Sequence, residues 1–120
     1  MVTYKDRTVV GLTEDVILHH DGRHDKVRAR IDTGAERSSV DINLASKLKL
    51  GPVVASRVVK SANGSKLRPI VKLEVELCGR RVTETFSLSD RSHMRYKVLI
   101  GQNILKKGFL IDPSKGASHG

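Results

Sequence analysis

The run Val27-Arg28-Ala29-Arg30-Ile31-Asp32-Thr33-Gly34-Ala35 changes character part-way along. Up to Ile31 it alternates: Val27, Ala29 and Ile31 face one way, Arg28 and Arg30 the other. That is the two-residue period of a half-buried strand. Asp32-Thr33-Gly34 follows, and Gly34 allows a tight turn as the chain leaves the strand. A carboxylate is thus delivered at the end of a buried strand, on a loop of small residues. The sequence holds one such triplet, so chemistry that needs two facing carboxylates needs two copies of the chain.

Working outward, residues 8–18 alternate apolar and polar side chains and predict one or two short strands. Residues 19–25 are polar, contain Asp21-Gly22, and read as a hairpin turn. On the other side of Asp32, Asp41 is placed to cap a helix. Val40, Leu44 and Leu48 give it an apolar stripe, Lys47 and Lys49 suit its C-terminal dipole, and Gly51-Pro52 ends it. Residues 53–59 predict a strand, Ser61-Ala62-Asn63-Gly64-Ser65 a hairpin tip built on Asn-Gly, and residues 67–77 a long returning strand. Pro69 puts the start of that strand at an edge or bulge. After a turn at Cys78-Gly79-Arg80, residues 82–88 form a third strand and residues 89–95 a polar loop. Val98-Leu99-Ile100 is a short buried strand broken by Gly101. Residues 102–107 make one or two helical turns ended by Gly108, and Phe109-Leu110-Ile111 is a final strand stopped by Asp112-Pro113. The expected architecture is mainly β with two short helices, one domain over residues 1–113 and a flexible tail over 114–120.

Composition fits a small soluble domain. The chain has 120 residues with no Trp, two Tyr and two Phe, so the core rests on Val, Leu and Ile, which suit strands. A small core of this kind gains stability by burying more surface in a dimer. The formal charge is +9, from 22 Lys and Arg against 13 Asp and Glu, and it favours acidic partners. The bases are scattered, and with aromatics for base stacking nearly absent, nucleic acid is disfavoured as a partner. Cys78 is the single cysteine, so an internal disulfide is excluded. Residues 1–7 lack the apolar stretch expected of a signal peptide and no run is of bilayer length, so a cytoplasmic location without membrane contact is expected.

Asp32 is the candidate catalyst. A strand ending in Asp-Thr-Gly is the way aspartic proteases present their carboxylate. In a symmetric dimer two Asp32 side chains come within hydrogen-bonding reach and share one proton, because like charges that close cannot both ionise. The ionised member then activates a water that attacks a peptide carbonyl. Thr33 is placed to bond across the two-fold axis, and Gly34 brings a backbone N–H to a carboxylate. Ala35 offers no hydroxyl, so activity is expected nearer neutral pH than in a gastric-type enzyme. Leu99-Ile100-Gly101 is expected to pass under the loop as a buttress, although the same residues fit an ordinary strand-to-helix glycine. Ala62-Asn63-Gly64 is expected at the tip of a flap that excludes water, although a plain solvent-exposed turn fits it too.

These features together resemble the retropepsin-like aspartic proteases over about residues 8–113. Residues 29–39 and 89–103, with the ending Phe109-Leu110-Ile111-Asp112-Pro113, are more closely similar to a family labelled ATP-dependent zinc proteases and associated with RimK-type ATP-grasp glutamate ligases. The resemblance implies a retropepsin-like half-barrel with one catalytic Asp32 per chain, supported by Thr33, Gly34 and Ala35, and a homodimeric aspartic endopeptidase acting on a peptide or protein substrate, in one view an acidic one. Two residues depart from the viral pattern: Glu36 stands where Asp is usual, and Gln102 where Arg is common. Those two residues help tie viral dimers together, so the resemblance does not assign the dimer contacts of this chain. No cofactor and no metal is expected. His-Glu-x-x-His and a Walker glycine loop are both missing, and His19, His20 and His24 read as solvated. The alternative is a non-catalytic binding module of the same fold, recognising an acidic peptide or an ATP-grasp ligase partner.

Overall fold

In the computed structural model, which describes residues 2–116, the alternating run becomes the end of β4 (Arg23–Ile31). Ala29 and Ile31 are buried while Arg28 and Arg30 stay exposed. β4 pairs antiparallel with β3 (Thr13–His20) from Thr13↔Arg30 to His20↔Arg23. The turn between them is Asp21-Gly22 alone, with φ of 48° and 74°, the left-handed pair of a type I′ hairpin. The turn expected over residues 19–25 is therefore mostly strand. Its histidines sit on β3 and β4, because the tight Asp-Gly turn lets pairing run to the tip.

β5 (Ser38–Asp41) was not foreseen. All four of its residues are buried and three are polar, so it carries no alternation to read; the side chains of Ser38 and Asp41 are hydrogen-bonded inside the fold. α1 (Ile42–Leu48) follows directly, capped by Asp41, whose Oδ2 accepts the Leu44 N–H at 3.1 Å. Lys49 closes the helix at φ 57°, donating its N–H to Ala45 and Ser46 carbonyls, just before the expected stop at Gly51-Pro52. The remaining elements are β6 (Val53–Ser61), β7 (Gly64–Leu77), β8 (Arg80–Ser89), β9 (Val98–Ile100), α2 (Gln102–Leu105) and β10 (Phe109–Ile111), with β1 (Thr3–Tyr4) and β2 (Arg7–Val10) at the start.

Seven strands run in the order β3-β4-β9-β5-β8-β7-β6, and β7 also pairs with β3 through Val16↔Leu77 to His19↔Glu74. That second pairing closes the sheet into a barrel and leaves β6 and the first half of β7 projecting as a hairpin. β1, β2 and β10 form a separate small sheet, with β10 parallel to β2. The barrel is filled by aliphatic side chains, among them Val16, Leu18, Leu73, Val75, Leu77 and Val98, with Phe86 fully buried. β9 lies inside the sheet between β4 and β5, with Val98 and Ile100 fully buried and Leu99 partly so, which fits the continuous apolar run Val98-Leu99-Ile100. It lies parallel to β4 (Ile31↔Ile100) and antiparallel to β5 (Val40↔Val98). The chain between β4 and β5 must therefore cross over the end of β9, and Asp32 sits on that crossing.

Candidate active site

Two hydrogen bonds set the position of Asp32. Its backbone N–H donates to the Ile100 carbonyl at 2.9 Å, extending the β4–β9 ladder by one residue. Its Oδ1 accepts the Gly34 N–H at 2.8 Å. The side chain is half-buried, and Oδ2 makes no hydrogen bond among the described residues. Gly34 packs closely, since an added Cβ would lie 3.2 Å from Asp32 Oδ1. Thr33 is exposed and its hydroxyl has no partner among the described residues, while its carbonyl accepts from Gln102 Nε2 at 2.7 Å. Ala35 closes the turn by donating its N–H to the Asp32 carbonyl at 3.3 Å and accepting from Gln102 N at 2.8 Å.

Gly101 lies directly beneath this loop. A Cβ there would stand 2.8 Å from the Ala35 oxygen and 2.8 Å from both the carbonyl carbon and the oxygen of Arg37. Only the absence of a side chain lets the loop rest on the end of β9. Gly101 N–H donates to Ser38 Oγ at 2.9 Å, and Ser38 Oγ donates to Asn103 Oδ1 at 2.8 Å. Asn103 Oδ1 also takes the Ser38 N–H at 3.0 Å, and Asn103 Nδ2 donates to the Thr85 carbonyl at 2.9 Å. The sequence pattern assigns no role to Ser38 or Asn103. They clamp the loop, the buttress and β8 together, and no local pattern announces a buried serine and a helical asparagine that meet across 65 residues. Gln102, in the place where Arg is common, serves the loop through Thr33. Glu36 is exposed, and its carbonyl accepts from Asn103 N at 3.0 Å.

A cleft of about 270 Å³ opens on one side of the loop, between Glu36 and Arg37 and the projecting hairpin residues Arg57, Val58, Lys60 and Arg68. Arg37 Nη1 donates to Thr85 Oγ1 at 2.7 Å, and the Nε atoms of Arg37 and Arg68 are buried without a partner among the described residues. The hairpin tip is displaced by one residue from the expected Asn63-Gly64 centre. Ser61 pairs with Gly64, so Ala62-Asn63 forms the turn and Gly64, at φ 113°, begins the return strand. None of the three tip residues lines the cleft; the hairpin arms do.

On the other side lies a pocket of about 370 Å³, lined by Arg30, Ile31, Arg91, Arg95 and Tyr96 with Leu12 and Met94. Arg91 is half-buried. Burial pushes its guanidinium down from its usual range, and Arg30 adds to this, while the carboxylates of Asp32 and Asp41 pull it back up. Asp32 itself lines neither recess; its chain neighbours Arg30 and Ile31 line one, and Glu36 and Arg37 line the other. Far from the loop, Lys115 Nζ donates to Glu14 Oε2 at 2.8 Å and to the Val9 carbonyl at 3.0 Å, so residues 114–116 lie in a turn anchored to the body. Residues 117–120 of the expected tail lie outside the described residues. Among the described residues, His, Cys, Asp and Glu form no group of three suited to a metal ion, and no helix is long and apolar enough to cross a membrane.

The family model described as RimB-like, "Retropepsin-like aspartic endopeptidase RimB", matches residues 42–119. The chain belongs to the RimB-like family. The matched span begins after Asp32, so the part given to that residue rests on the loop geometry and the preceding strand. A probable alpha-L-glutamate ligase of Shewanella pealeana is 27% identical over 114 residues, covering 74% of this chain and 25% of that protein. The chain therefore spans about a quarter of the length of this curated relative. Two solved structures share the fold. A protein of unknown function from Legionella pneumophila superposes with a TM-score of 0.64 at 19% identity, over 88% of this chain and 93% of that one. The Simian Foamy Virus (mac) protease gives 0.60 at 19% identity, over 78% and 91%. The retropepsin-like, mainly β architecture expected from the sequence is thereby established.

Proposed function

We propose that this RimB-like chain is one half of a homodimeric aspartic endopeptidase, hydrolysing peptide bonds with a water held between two Asp32 carboxylates. The observation that carries the reading is the presentation of Asp32. One carboxylate oxygen is fixed by the Gly34 N–H at 2.8 Å and the other is left without a partner among the described residues. In the dimer the two carboxylates hold one proton between them. The ionised member takes a proton from the water as its oxygen attacks the peptide carbon, and the protonated member donates to the carbonyl oxygen. The gem-diol intermediate collapses: the C–N bond breaks, the departing amine takes the proton that came from water, and one diol hydroxyl returns its proton to the other carboxylate, so the pair again holds one. The Thr33 hydroxyl supports the pairing from across the two-fold axis.

The substrate on this reading is a peptide or protein bearing acidic side chains. The net charge of +9 and the arginines in the two recesses lined by chain neighbours of Asp32 support that choice. The lone Cys78 suits a reducing, cytoplasmic setting. A second reading, a binding module acting beside an ATP-grasp ligase, is favoured by the alignment with part of a glutamate ligase. Sedimentation equilibrium and an Asp32→Asn variant separate the two. A concentration-dependent dimer whose peptide cleavage disappears in Asp32→Asn is expected for the endopeptidase. A strict monomer, or equal processing of a peptide library by wild type and variant, would remove it.

A further inference from the structure

The loop between β8 and β9 is organised by an ammonium group. Lys97 Nζ donates to three backbone carbonyls of that loop: Arg91 at 2.9 Å, Ser92 at 2.7 Å and Met94 at 3.1 Å. An ammonium carries three protons, and each is used on the same short segment. No carboxylate pairs with Lys97 among the described residues, so it serves the loop as an internal cation. Both ends are tied as well. The Arg91 N–H donates to Asp41 Oδ1 at 2.7 Å, and the Asp41 N–H donates to the Lys97 carbonyl at 2.8 Å. Asp90 Oδ1 accepts from Ser92 N at 2.9 Å and Ser92 Oγ at 2.6 Å.

What this fixed loop presents is Arg91. Its Nε donates to the Tyr96 carbonyl at 2.9 Å, which sets the plane of the guanidinium, while its Nη nitrogens have no partner among the described residues. Arg91 lines the pocket near Asp32 together with Arg30 and Arg95, and of the remaining lining residues Leu12, Ile31, Met94 and Tyr96 carry apolar surface and Thr13 a hydroxyl. Such a recess fits a side chain with a short aliphatic stem and a carboxylate end. The stem lies on the apolar wall, and the two oxygens meet a planar donor whose orientation is already set.

We propose that Arg91 is the specificity-determining residue of this subsite, reading a substrate side-chain carboxylate next to the scissile bond, and that Lys97 is its positioning residue. The catalytic consequence rests on the endopeptidase reading; the binding consequence does not. Preorganisation is the point of the Lys97 tether, since a loop already ordered loses little freedom when the ligand arrives.

The test uses the full chain and a labelled octapeptide with glutamate at its two central positions, beside the same peptide with glutamine there. Binding is measured by fluorescence anisotropy in the Asp32→Asn background, and cleavage in the Asp32 background. Arg91→Gln should cut the preference for the glutamate peptide by about tenfold, the scale of one charge-assisted hydrogen bond in a partly open site. In cleavage the loss should fall on KM rather than kcat. Arg91→Lys, which keeps the charge, should recover part of the preference. Lys97→Met should act in the same direction, its folded state checked by thermal melting. Equal weakening of both peptides, or a shifted pH profile with the preference intact, overturns the proposal, because Arg91 would then act on Asp32 and not on substrate. Should the wild type cleave nothing in an Asp32-dependent way, the endopeptidase reading fails while the anisotropy comparison still decides the role of Arg91.

Discussion

Gly101→Ala is the substitution for which the structure fixes both direction and size. The new methyl group would arrive 2.8 Å from the Ala35 oxygen and 2.8 Å from Arg37 backbone atoms. These are parts of the loop that carries Asp32, not flexible side-chain ends, so the loop itself must move. Overpacking of this kind costs about 1–3 kcal/mol. The shift also loosens the Gly101–Ser38, Gln102–Ala35 and Asn103–Glu36 hydrogen bonds, each contributing about 0.5–1.5 kcal/mol. A net loss of about 2–4 kcal/mol follows. A 120-residue domain has an unfolding entropy of about 250 cal/mol/K, so Tm should fall by about 8–16 °C. Melting is followed by circular dichroism at one fixed protein concentration, because association shifts Tm. Well below the melt, displacement of Asp32 by a fraction of an ångström to an ångström should lower kcat/KM by about a hundredfold. A Gly101→Ala protein melting within about 2 °C of wild type and cleaving at the same rate would refute the buttress and the close approach it implies.

Gly34→Ala should separate activity from stability. Its Cβ meets only Asp32 Oδ1, at 3.2 Å, so stability should change by less than about 1 kcal/mol while cleavage falls sharply, as thermal melting and peptide turnover would show. Ser38→Ala removes the acceptor of Gly101 N–H and a donor to Asn103 in a buried position, and should cost about 1–3 kcal/mol in urea unfolding. Acid stability should depend on Glu14. Burial pushes its carboxyl up, but the hydrogen bonds from Lys115 and the Gly11 N–H and the Lys115 charge outweigh this and hold it below its ordinary 4.5. A depressed carboxylate contributes stability above its unfolded value and loses it as pH falls through the folded one. Between about pH 5 and pH 3 the wild type should therefore lose Tm faster than Glu14→Gln; parallel profiles would count against the Glu14–Lys115 pair.

The parts of the fold that were readable before the structure are those where burial leaves a period. β4 announces itself through Val27, Ala29 and Ile31, and β9 through an unbroken apolar run. The turn between β4 and β5 follows, because Gly34 permits a tight turn where the alternation stops. β5 left no trace, since Ser38, Ser39 and Asp41 are polar side chains in a strand buried on both faces, and burial by internal hydrogen bonding has no hydropathy signature. The Ser38–Asn103 clamp was hidden for the same reason, and it joins residues far apart in the chain. At Ala62-Asn63-Gly64 the turn residues were recognised but the register slipped by one, because a left-handed Gly64 can sit inside the turn or just after it. The Lys97 tether was out of reach for sequence reasoning: a lysine in a polar loop looks solvated until its three acceptors are seen to converge.

Tyr96 has a consequence for the laboratory. With no tryptophan and two tyrosines, ultraviolet emission from this protein comes from Tyr4 and Tyr96 alone. Tyr4 is 58% exposed at the start of the small sheet, whereas Tyr96 lines the recess beside Asp32 with Arg95 stacked 5.5 Å from its ring centre. Replacing Tyr4 with Phe leaves one native fluorophore, and it sits where a ligand would arrive. Quenching or brightening of that single emitter reports occupancy of the recess in unlabelled protein, in real time, before any bond is cut.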